Sequence, residues 1–147
     1  MEIKIADSDA DIINCFEVVS ELRPHLKRKD FVSTVRRLAE NNFKLVYLAD
    51  SYGNSDESHK SIKAVAGIRI AEWLHSGRYL EIEDLITTEA DRSKAYGSTL
   101  FDWLLDYAKA HHCQQMRLVS GVAREAAHRF YERKGMQFEA KYFSINV

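Results

Sequence analysis

Leu80-Glu-Ile-Glu-Asp-Leu-Ile-Thr-Thr88 runs directly into Glu89-Ala-Asp-Arg-Ser-Lys-Ala-Tyr-Gly-Ser-Thr-Leu100. The first stretch reads as a strand over residues 79–88, and a helix follows from about Gly97 to His112. That helix turns Leu100, Phe101, Leu104, Leu105 and Ala108 inward at helical spacing. Arg92, Ser93, Lys94, Ala95, Tyr96 and Gly97 stand immediately before it. The first N–H groups of a helix have no internal partners and lie at the positive end of its dipole. With Arg92 and Lys94 beside them, such a turn suits an anion, and a pyrophosphate in particular. An ordinary strand-to-helix loop that uses Gly97 for a tight turn fits the same spacing.

Outward from this stretch, the chain alternates strands and helices. Residues 2–6, 44–50, 63–73 and 115–121 read as strands, and a last strand fills Gln137 to Val147. Ser8 with Asp11 three residues later forms a capping box, and Ile12, Ile13, Phe16, Val19 and Leu22 follow at helical spacing until Pro24. A second helix begins near Asp30, with Phe31, Val35, Leu38 and Ala39 on one face. The polar run 51–61 reads as a hairpin loop, and Glu125 to Lys134 as a helix capped by Gly135. The order β-α-α-β-β-β-α-β-α-β predicts an α/β fold with a mixed, mostly antiparallel central sheet flanked by helices. Residues 1–147 are expected to form a single domain.

The 21 Lys and Arg against 22 Asp and Glu leave a formal charge of -1. A protein that wraps nucleic acid shows a basic surplus, so no nucleic-acid partner is expected. No apolar run approaches the roughly 20 residues of a membrane span, and the first residues lack an apolar signal core. A cytoplasmic protein without membrane attachment is the expectation. Cys15 and Cys113 offer neither a disulfide nor a zinc framework. His111, His112 and Cys113 are adjacent, and neighbours on a helix diverge by about 100°, so no metal site is expected there. His⁺ at a helix C-terminus explains them better.

Arg92-Ser-Lys-Ala-Tyr-Gly97 resembles the R/Q-x-x-G-x-G/A signature of the GNAT N-acetyltransferase superfamily. Downstream, Ala126-Ala-His-Arg-Phe-Tyr-Glu-Arg-Lys-Gly-Met136 resembles the family's A-x-x-F-Y-x-x-x-G-F pattern, with Met136 in place of Phe. The element order is similar to that fold from end to end. The loop departs from the signature at Ala95, where the family usually has Gly.

What the resemblance implies is an acetyl-CoA-dependent transfer to a primary amine without a metal. The backbone around Leu85, Ile86 and Thr87 would pair with the pantetheine arm, and Arg92, Ser93, Lys94, Ala95, Tyr96, Gly97 and Ser98 would hold the pyrophosphate. Tyr131 occupies the family's tyrosine position and would protonate the departing thiolate. Its neighbour Phe130 means that one of the two rings must pack inward, which leaves a purely structural role open.

An attacking ammonium must first lose a proton, and a carboxylate does this only where burial raises its pKa well above about 4.3. Glu81 and Glu83 share one face of their strand and are the candidate bases, while Asp84 points to the other. A water chain, or carboxylates that merely attract a cationic substrate, are the alternatives. The acceptor is expected to be a small-molecule or peptide amine. Tyr142 and Phe143 on the last strand would suit a homodimer. A CoA-binding sensor without turnover is the competing reading, prompted by Ala95.

Overall fold

Five strands lie in the order β1-β2-β3-β4-β5: β1 (Glu2–Ile5), β2 (Phe43–Asp50), β3 (Ser61–Trp73), β4 (Gly77–Thr87) and β5 (Gln115–Leu118). The computed structural model describes residues 1–50 and 61–147, so the predicted hairpin loop lies almost wholly outside the described residues. β1 to β4 form an antiparallel meander. A helical crossover then brings β5 beside β4, and the sheet is mixed, as the element order predicts.

Helices α1 (Asp9–Asn14), α2 (Phe16–Leu22) and α3 (Arg28–Ala39) precede β2, α4 (Tyr96–Ala110) joins β4 to β5, and α5 (Glu125–Arg133) follows. The predicted first helix is broken at Cys15, whose N–H bonds back three residues to Ile12 and whose thiol donates to the Asp11 carbonyl. Burial pushes that thiol up to about 12, with Asp11 adding to the effect, so it is an inert packing group. Ser8 does cap α1, its hydroxyl accepting the Asp11 N–H at 3.0 Å.

The two faces of the sheet carry two apolar layers. Ile12, Phe16, Val19, Phe31 and Val35 of α1 to α3 cluster with Leu45, Tyr47, Val65 and Ile86. Leu100, Phe101, Leu104 and Ala108 of α4 are buried, as are the alternate strand residues Val46, Leu48, Ala64, Ala66, Leu80 and Ile82. Ala39, expected on the inner face of α3, is exposed, and Leu105 is only half-buried.

Strict alternation fails once in β4. Ile82 pairs with Ile68 and Asp84 with Gly67, which leaves Glu83 as the extra residue of a bulge. Leu80 and Ile82 are absent from the α1–α3 cluster, whereas Ile86 belongs to it. The bulge therefore changes which face the even-numbered positions serve. Gly67 is required opposite it: a Cβ there would collide with Asp84 Oδ2 and come within 2.8 Å of the Phe43 ring.

Met1–Arg117 form one compact unit and Leu118–Val147 a second. In the second, α5 ends on a full Schellman motif: Met136 N–H reaches the Tyr131 carbonyl, Gly135 N–H reaches Glu132, and Gly135 has φ +94°. This bears out the cap read from the sequence. The predicted last strand is not formed: Gln137–Val147 has no regular structure, and Phe138, Tyr142, Phe143 and Ile145 are exposed. A strand exists only when paired, and this unit holds no full strand beside it. The segment's apolar residues also change parity at the Tyr142-Phe143 step, so they do not define one face.

Gly67→Ala should destabilise the chain by about 1–3 kcal/mol, because the added methyl meets a carboxylate and a ring on a buried face. Urea unfolding checks this; an unchanged midpoint would show that the bulge yields freely.

Candidate active site

The turn after β4 is a 3-10 helix, Glu89–Lys94, closed by Ala95 in the left-handed conformation (φ 63°, ψ 16°). A left-handed position explains why a glycine would be at home there, since a Cβ costs roughly 1–2 kcal/mol in that region. Gly97 serves a different need. A Cβ on it would stand 2.9 Å from Thr87 Oγ1, so its lack of a side chain lets the first turn of α4 approach the end of β4.

Asp91 organises the turn. Its side chain is 8% exposed and meets the Thr88 hydroxyl at 2.7 Å, Lys94 at 2.9 Å and Lys63 at 3.2 Å. Those contacts, the Thr88 hydroxyl first, hold its carboxyl down at about 2. Two ammonium groups on one carboxylate leave a net positive charge. Arg92 is exposed and has no ion pair among the described residues. Lys94, expected as a cation available to a ligand, is instead tied to Asp91. Tyr96, the first residue of α4, donates to Asp50 Oδ2 at 2.9 Å, and Asp50 raises its phenol pKa. A cavity of about 330 Å³ opens beside this turn, lined by Asp50, Ser61, Lys63, Lys94 and Tyr96. α4 itself begins with no side-chain cap.

The backbone of β4 supplies the next part. Leu85 and Thr87 pair with Ala66 and Ala64 of β3, and Ile86 with Val65. On the other side β5 is short, four residues against eleven in β4. It is anchored where Gln114 N–H meets the Arg78 carbonyl at 2.7 Å. Counting forward from that anchor, β5 runs out beside about residue 82. The end of β4 that holds Leu85, Ile86 and Thr87 thus lies beyond it.

All three acidic side chains of β4 are engaged by arginines. Arg117 Nε donates to Glu81 Oε2, and its guanidinium lies 4.1 Å from the Trp73 ring centre and 4.0 Å from that of Tyr79. Arg69 grips Glu83 with two nitrogens, at 2.7 and 3.4 Å. Arg23, just past α2, reaches Asp84 Oδ1 at 2.9 Å and the Glu83 carbonyl at 3.2 Å. Burial raises the Asp84 carboxyl above its ordinary value, with Arg23 opposing.

Asp84 does not face away from Glu83, as alternation predicts. The Phe43 ring flanks both Arg69 and the Gly67 position against which Asp84 packs, so the bulge places both carboxylates on one face. The arginine partners were invisible in the sequence because each comes from a different element.

Tyr131 lies on α5, half-buried, its ring packed edge-on against Phe130 at 5.5 Å. Burial raises its phenol above the usual 10, partly offset by Arg124, so it holds its proton at neutral pH. Its hydroxyl makes no hydrogen bond among the described residues. Of the histidines, His128 bonds the Gly121 carbonyl at 2.9 Å and His111 the Tyr107 carbonyl at 2.8 Å. Among the described residues no group of three His, Cys, Asp or Glu side chains is placed to hold a metal ion.

Asp91→Asn should lower stability by about 1–3 kcal/mol at neutral pH. Because the folded carboxyl lies below its unfolded value of 3.8, its contribution is present above pH 4 and lost as pH falls towards 2. The variant should therefore lose less stability than the parent over that window, read by urea unfolding at each pH.

The sequence model of the Acetyltransferase (GNAT) family matches residues 16–136. An N-acetyltransferase of Bacillus subtilis (strain 168), YhdJ, itself uncharacterized, is 28% identical over 144 residues, covering 97% of this chain and 96% of its own. A solved structure from Agrobacterium tumefaciens str. C58 superposes with a TM-score of 0.80 at 24% identity, over 100% of both chains. The ribosomal-protein-alanine N-acetyltransferase of Brucella melitensis biovar Abortus 2308 gives 0.79 at 13% identity, again over 100% of both. The structural likenesses speak for the fold, and the match over residues 16–136 for the family: the chain belongs to the GNAT family of acetyltransferases.

Proposed function

We propose that this protein transfers an acetyl group from acetyl-CoA to a primary amine by direct attack in a ternary complex, with Tyr131 as general acid. One observation carries the reading. A helix of fifteen residues, α4, starts with no side-chain cap, directly after a turn that holds an Arg92 without an ion pair among the described residues and a net positive Asp91-lysine cluster. Uncapped amides beside positive charge match a diphosphate, so the residues present fit the cofactor. Arg92 through Ser98 would hold the pyrophosphate, and the free backbone edge around Leu85 to Thr87 the amides of the pantetheine arm. When bound, acetyl-CoA supplies a thioester open to attack by an amine.

Tyr131 Oη would give its proton to the sulfur as the carbon–sulfur bond breaks. Its raised pKa suits a donor that must stay protonated until that moment. Glu81 or Glu83 would take the amine proton, directly or through water, and either must first loosen its arginine. The acceptor would be a small-molecule or peptide amine, competing with those guanidinium groups for a carboxylate. The same pairing favours a second reading, a CoA-binding module without turnover, because neither candidate base is free at rest.

CoA release measured across polyamines, amino acids and peptides separates the two: binding of acetyl-CoA with no turnover on any amine supports the module. If transfer occurs, Tyr131→Phe should lower kcat about 10²-fold with little change in acetyl-CoA affinity. Unchanged kcat would remove the tyrosine from the chemistry. Glu81→Gln should flatten the acidic limb of kcat/KM, and a retained limb would exclude Glu81 as base.

A further inference from the structure

The strands carry six cationic residues: Lys4, Lys44, Lys63, Arg69, Arg78 and Arg117. Four are matched by a carboxylate, namely Lys4 by Glu2, Lys63 by Asp91, Arg69 by Glu83 and Arg117 by Glu81. The two left without a carboxylate among the described residues, Lys44 and Arg78, line the same cavity of about 390 Å³. Ile68 and Ile70 form an apolar part of its lining, and Tyr107 and His111 another wall. Among the described residues no acidic side chain lines it.

The cavity sits at the C-terminal end of α4, which is fifteen residues long, so it is about 22 Å along the helix from the turn that would hold the pyrophosphate. A helix C-terminus ordinarily repels anions, but here three of the last four α4 carbonyls already accept N–H groups. Tyr107, Ala108 and Lys109 accept N–H groups from His111, Cys113 and His112, and the His111 carbonyl accepts Arg78 Nε at 2.8 Å. That last bond fixes the guanidinium and leaves its terminal nitrogens for another partner. The Tyr107 and His111 rings are stacked with centres 3.9 Å apart. Burial raises the Tyr107 phenol, so its hydroxyl remains a donor.

We infer that this cavity is a second binding site, for a small organic carboxylate whose charged end lies between Lys44 and Arg78 and whose apolar body rests on Ile68 and Ile70. Two exposed cations on one cavity suit an anion, a guanidinium fixed at Nε suits a planar one, and the isoleucines suit a ligand with an apolar part. The inference does not rest on the acetyl-transfer reading, because none of these residues belongs to the turn, to the free edge of β4 or to the carboxylate cluster.

Calorimetric titration of the full chain tests it, with benzoate as the probe and benzylammonium and inorganic phosphate as controls. Benzoate should bind one to one in the millimolar range or tighter, with phosphate weaker and benzylammonium silent. Lys44→Glu, an exposed position, should weaken benzoate at least tenfold, and Tyr107→Phe should weaken it severalfold. The urea-unfolding midpoint should be nearly unchanged in both variants, which confirms that they are folded. The inference fails if benzoate does not bind, if benzylammonium binds as well, if phosphate binds as tightly as benzoate, or if Lys44→Glu retains the parent affinity.

Discussion

A sheet covered on both faces cannot carry charge in its middle, because burying an unpaired ion is prohibitive. In β2 the run Leu45 to Ala49 is buried on both sides, and in β3 the run Ala64 to Val65 and Ala66 is the same. Charged residues therefore stand at strand ends, on the short edge strand or near the interruption of the pleat, and those on β4 are held by a partner. The interruption is the bulge at Glu83, and the ends are the turn after Thr87 and the opposite edge at Lys44 and Arg78. The charged clusters of the sheet are placed accordingly. The carboxylates gather beside the bulge with an arginine each, the 3-10 turn with its lysine-bound Asp91 forms where β4 leaves the sheet, and the cavity forms where β4 enters it.

The bulge also divides β4 by function. Before it, Leu80 and Ile82 are buried, and β5 occupies the open edge as far as about residue 82. Beyond it, Ile86 has changed face and the backbone edge is clear of β5. One extra residue thus separates a packing half from a half with hydrogen-bonding groups to offer. Gly67 makes this possible, since any side chain there would occupy the space of Asp84.

Features decided within a few residues were legible in the sequence. Ser8 capping α1, the inward turn of Leu100, Phe101, Leu104 and Ala108 on α4 and the Gly135 cap depend on local hydrogen bonds and helical period, and they appear where their spacing puts them. The loop from Arg92 to Gly97 stood out by its likeness to the family signature, while its spacing alone left an ordinary strand-to-helix turn open. Features that need a partner from elsewhere were not legible. The face of Asp84 depends on a register slip against β3, and the arginines on Glu81, Glu83 and Asp84 come from β5, β3 and the end of α2. Residues 137–147 alternate well enough to suggest a strand, yet alternation describes only a propensity, and pairing decides whether it is realised.

Ala95 shows how local strain and charge combine at the turn. A glycine would reach the left-handed conformation without penalty, so the chain must hold an alanine there by other means. Asp91 ties the preceding 3-10 turn to Thr88, Lys94 and, across the sheet, Lys63, while Tyr96 ties the following residue to Asp50 of β2. Ala95 is thus pinned on both sides by buried or half-buried hydrogen bonds, which together outweigh roughly 1–2 kcal/mol of backbone strain. The same bonds that hold this strained turn also engage Lys94, whose ammonium shares the Asp91 carboxylate with Lys63. The left-handed Ala95 and the engaged Lys94 are thus held by one network of hydrogen bonds that joins the turn to β2 and β3.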